Sequence, residues 1–137
     1  MQQVSLEIGQ MLAGMARHTP GVDQAVILSS DGLLLSMSEG LDRDNADRFS
    51  AVASGLLGIA VGASGPLGGG PVEEVVVQMR DKMLMVMRIN AEGVLAVLGA
   101  PDCDVAAVAY EMALLSRTAA PILDANARVE MQAALPS

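Results

Sequence analysis

The side chains able to do chemistry are few, and their spacing keeps them apart. The sole histidine, His18, falls where a first helix ends, with no Cys or carboxylate at a ligand-like interval. A cysteine nucleophile needs a base; the single Cys103 has only that one histidine to call on and reads as a small, partly buried filler. A lone cysteine also rules out an intrachain disulfide. Asp42, Asp44 and Asp47 could suggest a metal loop, but no Glu closes an EF-hand pattern. They stand instead at a helix start, where carboxylates favour the positive end of the dipole. The ten methionines resemble a copper-binding set by count alone, since Met83, Met85 and Met87 alternate on one face of a strand as core positions do. The run Gly65–Pro71 is rich in glycine but lacks the Lys-Ser/Thr ending of a phosphate loop. It also precedes a strand, where a phosphate loop precedes a helix. No nucleophile, base and orienting group assemble from these parts. The reading is therefore of no catalytic residue, no cofactor-binding residue, no metal ligand, and so no enzyme.

The bulk properties narrow the class further. At 137 residues the chain has the size of one domain, with a core over about 4–120 and a helical tail over about 121–137. Hydrophobic residues make up 52% and charged residues 18%, which excludes a disordered tail. The net charge is −8, and the basic residues (Arg17, Arg43, Arg48, Arg80, Lys82, Arg88, Arg117, Arg128) are scattered. Phosphate backbones need clustered Lys and Arg, so nucleic acid is not an expected partner. The N-terminal residues show no basic stretch ahead of an apolar core, as a signal peptide would. A cytoplasmic protein is expected.

The elements that would position any site follow from periodicity. Val4, Ile8, Met11, Leu12 and Met15 share one face of a helix over residues 3–18, closed by Pro20-Gly21. Two strands, Val22–Ser29 and Leu33–Ser38, flank the turn Ser30-Asp31-Gly32, an Asp-Gly hairpin signal. Asp42 is the N-cap of a long helix running to about Ser64. After the glycine-rich loop come three strands, Val72–Met79, Met83–Asn90 and Val94–Gly99, joined by short turns into an antiparallel meander. Pro101 and Asp102 open a last helix, with Val105, Val108, Met112, Leu115 and Ala119 on one stripe; Pro121 stops it, and a helical tail follows to about Gln132. The order is α-β-β-α-β-β-β-α. Strands that are apolar at both alternating positions imply a sheet covered on both faces. The fold class is α/β (α+β): a five-stranded antiparallel sheet between helices.

One helix asks for a partner. No charged residue occurs from Phe49 to Val72. Phe49, Val52, Leu56, Ile59 and Ala63 form a stripe suited to the sheet; Ala46, Ser50, Ala53, Leu57 and Ala60 form a second stripe offset around the helix. A surface helix carries charge on its outer face, and this one lacks it. The second stripe is expected to meet the same helix of a second copy, with Gly55, Gly58 and Gly62 permitting close approach. Another helix of the same chain could cover it instead. A membrane span competes too, but the apolar helical part is only about 15 residues against the roughly 20 required. Val75 and Val77, on the dense β-branched run of a sheet edge, are expected to pair across the same dimer, with Glu73 and Glu74 limiting uncontrolled pairing.

The first hairpin, Pro20 to Leu35, carries Gly21-Val22, Ala25, Ser29 and Asp31-Gly32-Leu33 in a spacing that resembles the Roadblock/LC7 signature. Residues 47–56, the glycine loop, and Ala109–Leu115 resemble the bacterial branch of that family, encoded beside a sensor-kinase-like protein and a Ras-like GTPase. The resemblance covers about residues 4–120. It implies a homodimer, with the long helices on one face and the terminal helices on the other, that binds a small Ras-like GTPase and modulates its nucleotide cycle. It also implies a possible sensor-kinase-like partner. Arg43 and Arg48 are the only basic residues on the long helix and the candidate GTPase contacts, although a solvated charge or an intrahelical pair with Asp44 or Asp47 is the plainer reading. Two other classes share the element order or the composition: a ligand-sensing module like PAS, GAF or profilin, and a purely structural scaffold of a kinase–GTPase complex.

Overall fold

A computed structural model describes residues 3–136. Along the chain come α1 (Gln3–His18), β1 (Val22–Ser29), β2 (Leu34–Met37), α2 (Arg43–Leu67), β3 (Val75–Gln78), β4 (Met83–Arg88), β5 (Gly93–Gly99), α3 (Val105–Ala119) and α4 (Ala125–Ala134). The strands make one antiparallel sheet in the order β2-β1-β5-β4-β3. β3, β4 and β5 form the expected meander, with Val75 opposite Val86 and Val77 opposite Leu84. The β1–β2 hairpin joins its other side, Ala25 opposite Val97 and Ile27 opposite Leu95. β2 and β3 are the two edges.

Alternation along the strands divides the interior into two cores. Ala25, Ile27, Met83, Met85, Leu95 and Val97 face the layer of α1, α3 and α4, meeting Ile8, Leu12, Met112, Leu123 and Met131. Val26, Leu28, Leu84, Val86, Val94 and Ala96 face α2. Both strand faces are thus dry, which is why these strands read apolar at every position. In the turn after β1, Ser29 Oγ accepts the N–H of Leu33 at 3.0 Å and donates to the Asp31 carboxylate. Gly32 takes φ +91°, a left-handed conformation that suits glycine.

Each later helix starts on an aspartate. Asp42 Oδ1 accepts the N–H of Asn45 at 2.8 Å, Asp104 Oδ1 that of Ala107 at 3.1 Å, and Asp124 Oδ1 that of Ala127 at 2.8 Å. The cap of α3 is therefore Asp104, two residues beyond the expected start. α2 also outruns its expected end near Ser64. It continues through Pro66 to Leu67 and closes at Gly68, whose N–H bonds the Gly65 carbonyl. Pro66 stands one residue from the end, so its missing N–H forfeits a single bond to the Gly62 carbonyl. β3 is shorter than expected, and Val72, Glu73 and Glu74 lie ahead of it.

The sheet and the C-terminal helices are joined at one tight point. A Cβ on Gly93 of β5 would collide with the Leu123 side chain, so the α3–α4 joint rests directly on the strand. Asn90 secures it: Nδ2 donates to the carbonyls of Ala120 at 2.9 Å and Leu123 at 2.8 Å, while Oδ1 accepts the N–H groups of Glu92 and Gly93.

Candidate functional site

Built upward from α2, the candidate site is a surface for another protein chain. On one side the helix buries Ala46, Ser50, Ala53 and Leu57 against the sheet. Buried Ser50 satisfies its hydroxyl by donating to the Ala46 carbonyl at 2.9 Å. These four are the residues expected to meet a second copy, and the structure corrects that assignment: they belong to the chain's own core. Ala60, the fifth, is half-buried at the margin. The stripe expected to face the sheet is the open one. Val52 is 53% and Ile59 73% exposed, Ala63 is exposed, and Phe49 and Leu56 only lean on the core's rim. The reason is helix–sheet distance, since the smaller stripe lets α2 lie closer on the strands.

The open flank continues onto the sheet edge. Phe49 and Leu56 pack against the same core as Val72, Val75 and Val77. Val75 and Val77 are half-buried on the α2 side of β3, while Val76 points to the opposite side, exposed. Among the described residues β3 pairs only with β4, which leaves its outer backbone edge free there. Gly55, Gly58, Gly62 and Gly65 have open space where a Cβ would be. The result is one surface of about five helical turns with no charged side chain, running flush into a strand whose outer edge is open.

α2 has 25 residues and is long and apolar enough to cross a bilayer by length and composition, which overturns the sequence argument that it is too short. Only 17% of its most apolar 18-residue window is buried within the chain. Its packing on the sheet nonetheless fixes one face of it as protein core.

The charged residues of α2 all fall in its first two turns. Arg43 donates through Nε to Asp47 Oδ1 at 3.1 Å, the intrahelical pair anticipated from the sequence, and through Nη1 to the Pro136 carbonyl at 2.9 Å. Arg48 is exposed and makes no ion pair among the described residues. The two arginines are thus brought to the same helix end, one engaged and one free. The Arg43–Pro136 bond had no sequence signal.

The isolated chemical groups remain isolated. His18 closes α1 at the surface. Cys103 is half-buried against Gly21 and Gly99, its thiol pushed up by desolvation first and by the neighbouring Asp102 charge second. Among the described residues no three His, Cys, Asp or Glu side chains gather as a metal site. Two residues that sequence reasoning missed do converge: Asp31 and Glu92, from different turns, both lie beside Arg128 of α4, at 3.9 and 3.7 Å.

Comparison with known proteins fits this architecture. The Roadblock/LC7 domain family matches residues 9–99, more than half of the chain. The chain belongs to the Roadblock/LC7 family. A solved Roadblock/LC7 domain from Streptomyces avermitilis is 38% identical, with a TM-score of 0.79 over 84% of this chain and 96% of that one. A second Streptomyces Roadblock/LC7 domain is 32% identical, with a TM-score of 0.68 over 82% and 97%. Myxococcus xanthus MglB shares the fold at 12% identity, with a TM-score of 0.76 over 85% and 94%. A search of curated proteins gives no match. The family match covers α1 from residue 9 and every strand, so α3 and α4 lie beyond it.

Proposed function

We propose that this Roadblock/LC7 chain is a non-catalytic homodimeric adaptor that binds a small Ras-like GTPase and modulates its nucleotide cycle, in the cytoplasm or at a membrane reached through its partners. The observation that carries the dimer is the uncharged flank of α2 running into the open edge of β3. Val52, Leu56, Ile59 and Ala63 would pack against their copies, and Val75–Gln78 would pair with the same strand, giving one ten-stranded sheet. Such an interface is isologous: a residue i that meets residue j of the copy has its counterpart in j meeting i, and only residues on the two-fold axis meet themselves. An apolar helix face beside a free strand suits that arrangement, because the strand supplies register and the helix supplies dry area.

The GTPase partner rests on family membership and on the two arginines at the start of α2. Arg48 is free to meet an acidic switch region, while Arg43 is already engaged by Asp47 and Pro136. A sensor-kinase-like protein is the further partner of the same complex. The test is co-purification with a Ras-like GTPase encoded beside this chain, loaded with GDP or a non-hydrolysable GTP analogue. Nucleotide-dependent retention is expected, weakened by Arg48→Ala. Retention in neither state would refute the GTPase role, and equal retention in both would reduce the chain to a scaffold.

A further inference from the structure

The β2 edge shares with the β3 strand Val75–Gln78 a lack of charge and proline, and differs from it in what stands beside it. Leu34–Met37 contains no charge and no proline, the two devices that commonly discourage strand addition. What stands beside it is the segment that follows α4. α4 lies on α1 and β2, with Ala127 and Met131 buried in the helix-side core that also holds Leu35. After the Leu135 cap the chain turns extended, and the Leu135 side chain packs in the other core, with Leu34 and Met37. Four residues therefore carry the chain from one face of the sheet to the other, and the edge it rounds is β2. Its end is hooked onto the far layer, where Arg43 Nη1 donates to the Pro136 carbonyl at 2.9 Å. Between strap and strand lies a groove of about 440 Å³, with Ser36, Met37 and Ser38 on one wall and Ala134, Leu135 and Pro136 on the other.

We propose that Leu135 and Pro136 form a strap that guards the β2 edge, so that the sheet can be extended by another chain only at β3. The strap is held by one half-buried apolar side chain and one hydrogen bond to an arginine that is itself partly exposed. It is thus the light end of an otherwise well-seated helix, and detaching it leaves Ala127 and Met131 in place. With the strap off, four uncharged residues present unpaired N–H and C=O groups to solvent, and a second copy's β2 is the nearest complement.

The test needs only this chain. A version ending at Ala134 is compared with the full chain by multi-angle light scattering across a concentration series. The shortened chain is expected to reach at least twice the mass of the full chain and to grow with concentration. Met37→Lys in the shortened chain is expected to restore the full-chain mass, because a lysine on an edge strand resists pairing. An unchanged mass overturns the proposal. So does a larger mass that Met37→Lys leaves in place, since association would then use another surface. Should the shortened chain lose its far-ultraviolet circular dichroism, the full chain carrying Arg43→Ala and Leu135→Ser is put through the same comparisons and judged by the same outcomes.

Discussion

Leu57 and Ile59 stand two positions apart on α2 and meet opposite surroundings, Leu57 packed on the sheet at 5% exposure and Ile59 open at 73%. Two residues of helix separate side chains by about 200° around the axis, so a helix buried on one side must split such a pair. The split decides which substitutions report on folding and which on assembly.

Leu57→Ala is expected to destabilise the fold by about 2–5 kcal/mol, the usual range for emptying a buried leucine site. Ile59→Glu is expected to leave the unfolding midpoint of the monomer unit nearly unchanged but to halve the mass in light scattering, because the new charge would enter the dry contact proposed between copies. Urea denaturation and light scattering on the two variants separate the effects. An Ile59→Glu chain with the unaltered mass of the parent would remove α2 from the dimer interface.

The element order, the Asp-Gly hairpin, the meander and the Asp42 cap were all legible because each follows from local chemistry: period, turn type or a side-chain acceptor. The direction of α2 was not. Its two stripes are both apolar, and from the sequence the one with Phe49, Val52, Leu56, Ile59 and Ala63 suits the sheet as well as the other. The structure buries Ala46, Ser50 and Ala53 instead, because small side chains let the helix approach strands already filled by Leu28, Leu84 and Val86. Periodicity identifies stripes; only the partner surface says which one faces in. Contacts such as Arg43 with Pro136 join residues 93 positions apart and leave no pattern in sequence.

The seat of Leu123 on Gly93 makes a paired prediction. Gly93→Ala is expected to destabilise by roughly 1–3 kcal/mol through overpacking, and Leu123→Ala by roughly 2–5 kcal/mol through loss of buried volume. Because the first substitution's clash is with the side chain that the second removes, the double variant should lose less than the sum of the two. A double-mutant cycle from urea midpoints measures this. Strict additivity would mean that the strand and the joint adjust independently.

Asp31 sets an acid-side prediction. Its carboxyl is held below the ordinary value of 3.8, chiefly by the hydrogen bond from Ser29, with the Arg128 charge a smaller contribution. A folded-state value below the unfolded one adds stability that is full above the unfolded value and fades as the pH falls through the folded value. The loss therefore belongs below about pH 4. Asp31→Asn is expected to flatten the stability slope in that window and leave it unchanged near neutrality. Carboxyl-carbon NMR should place the Asp31 midpoint below 3.8 and show it rising in Ser29→Ala. A midpoint indifferent to Ser29→Ala would assign the shift to the Asp31 backbone N–H and to Arg128 instead.

The Cys103 thiol offers the last test, and it bears on the proposal that the chain is non-catalytic. Reactivity requires the thiolate, and both desolvation and the neighbouring Asp102 charge disfavour it. At pH 8 the folded protein is expected to react with a disulfide reagent more slowly than free cysteine does, and the unfolded protein at the free rate. Asp102→Asn should speed the folded reaction by removing one like charge, though not to the free rate, since desolvation is the larger cause. A folded thiol that outpaces free cysteine would reveal an activating group near Gly21 and Gly99, and would reopen the question of chemistry at that position.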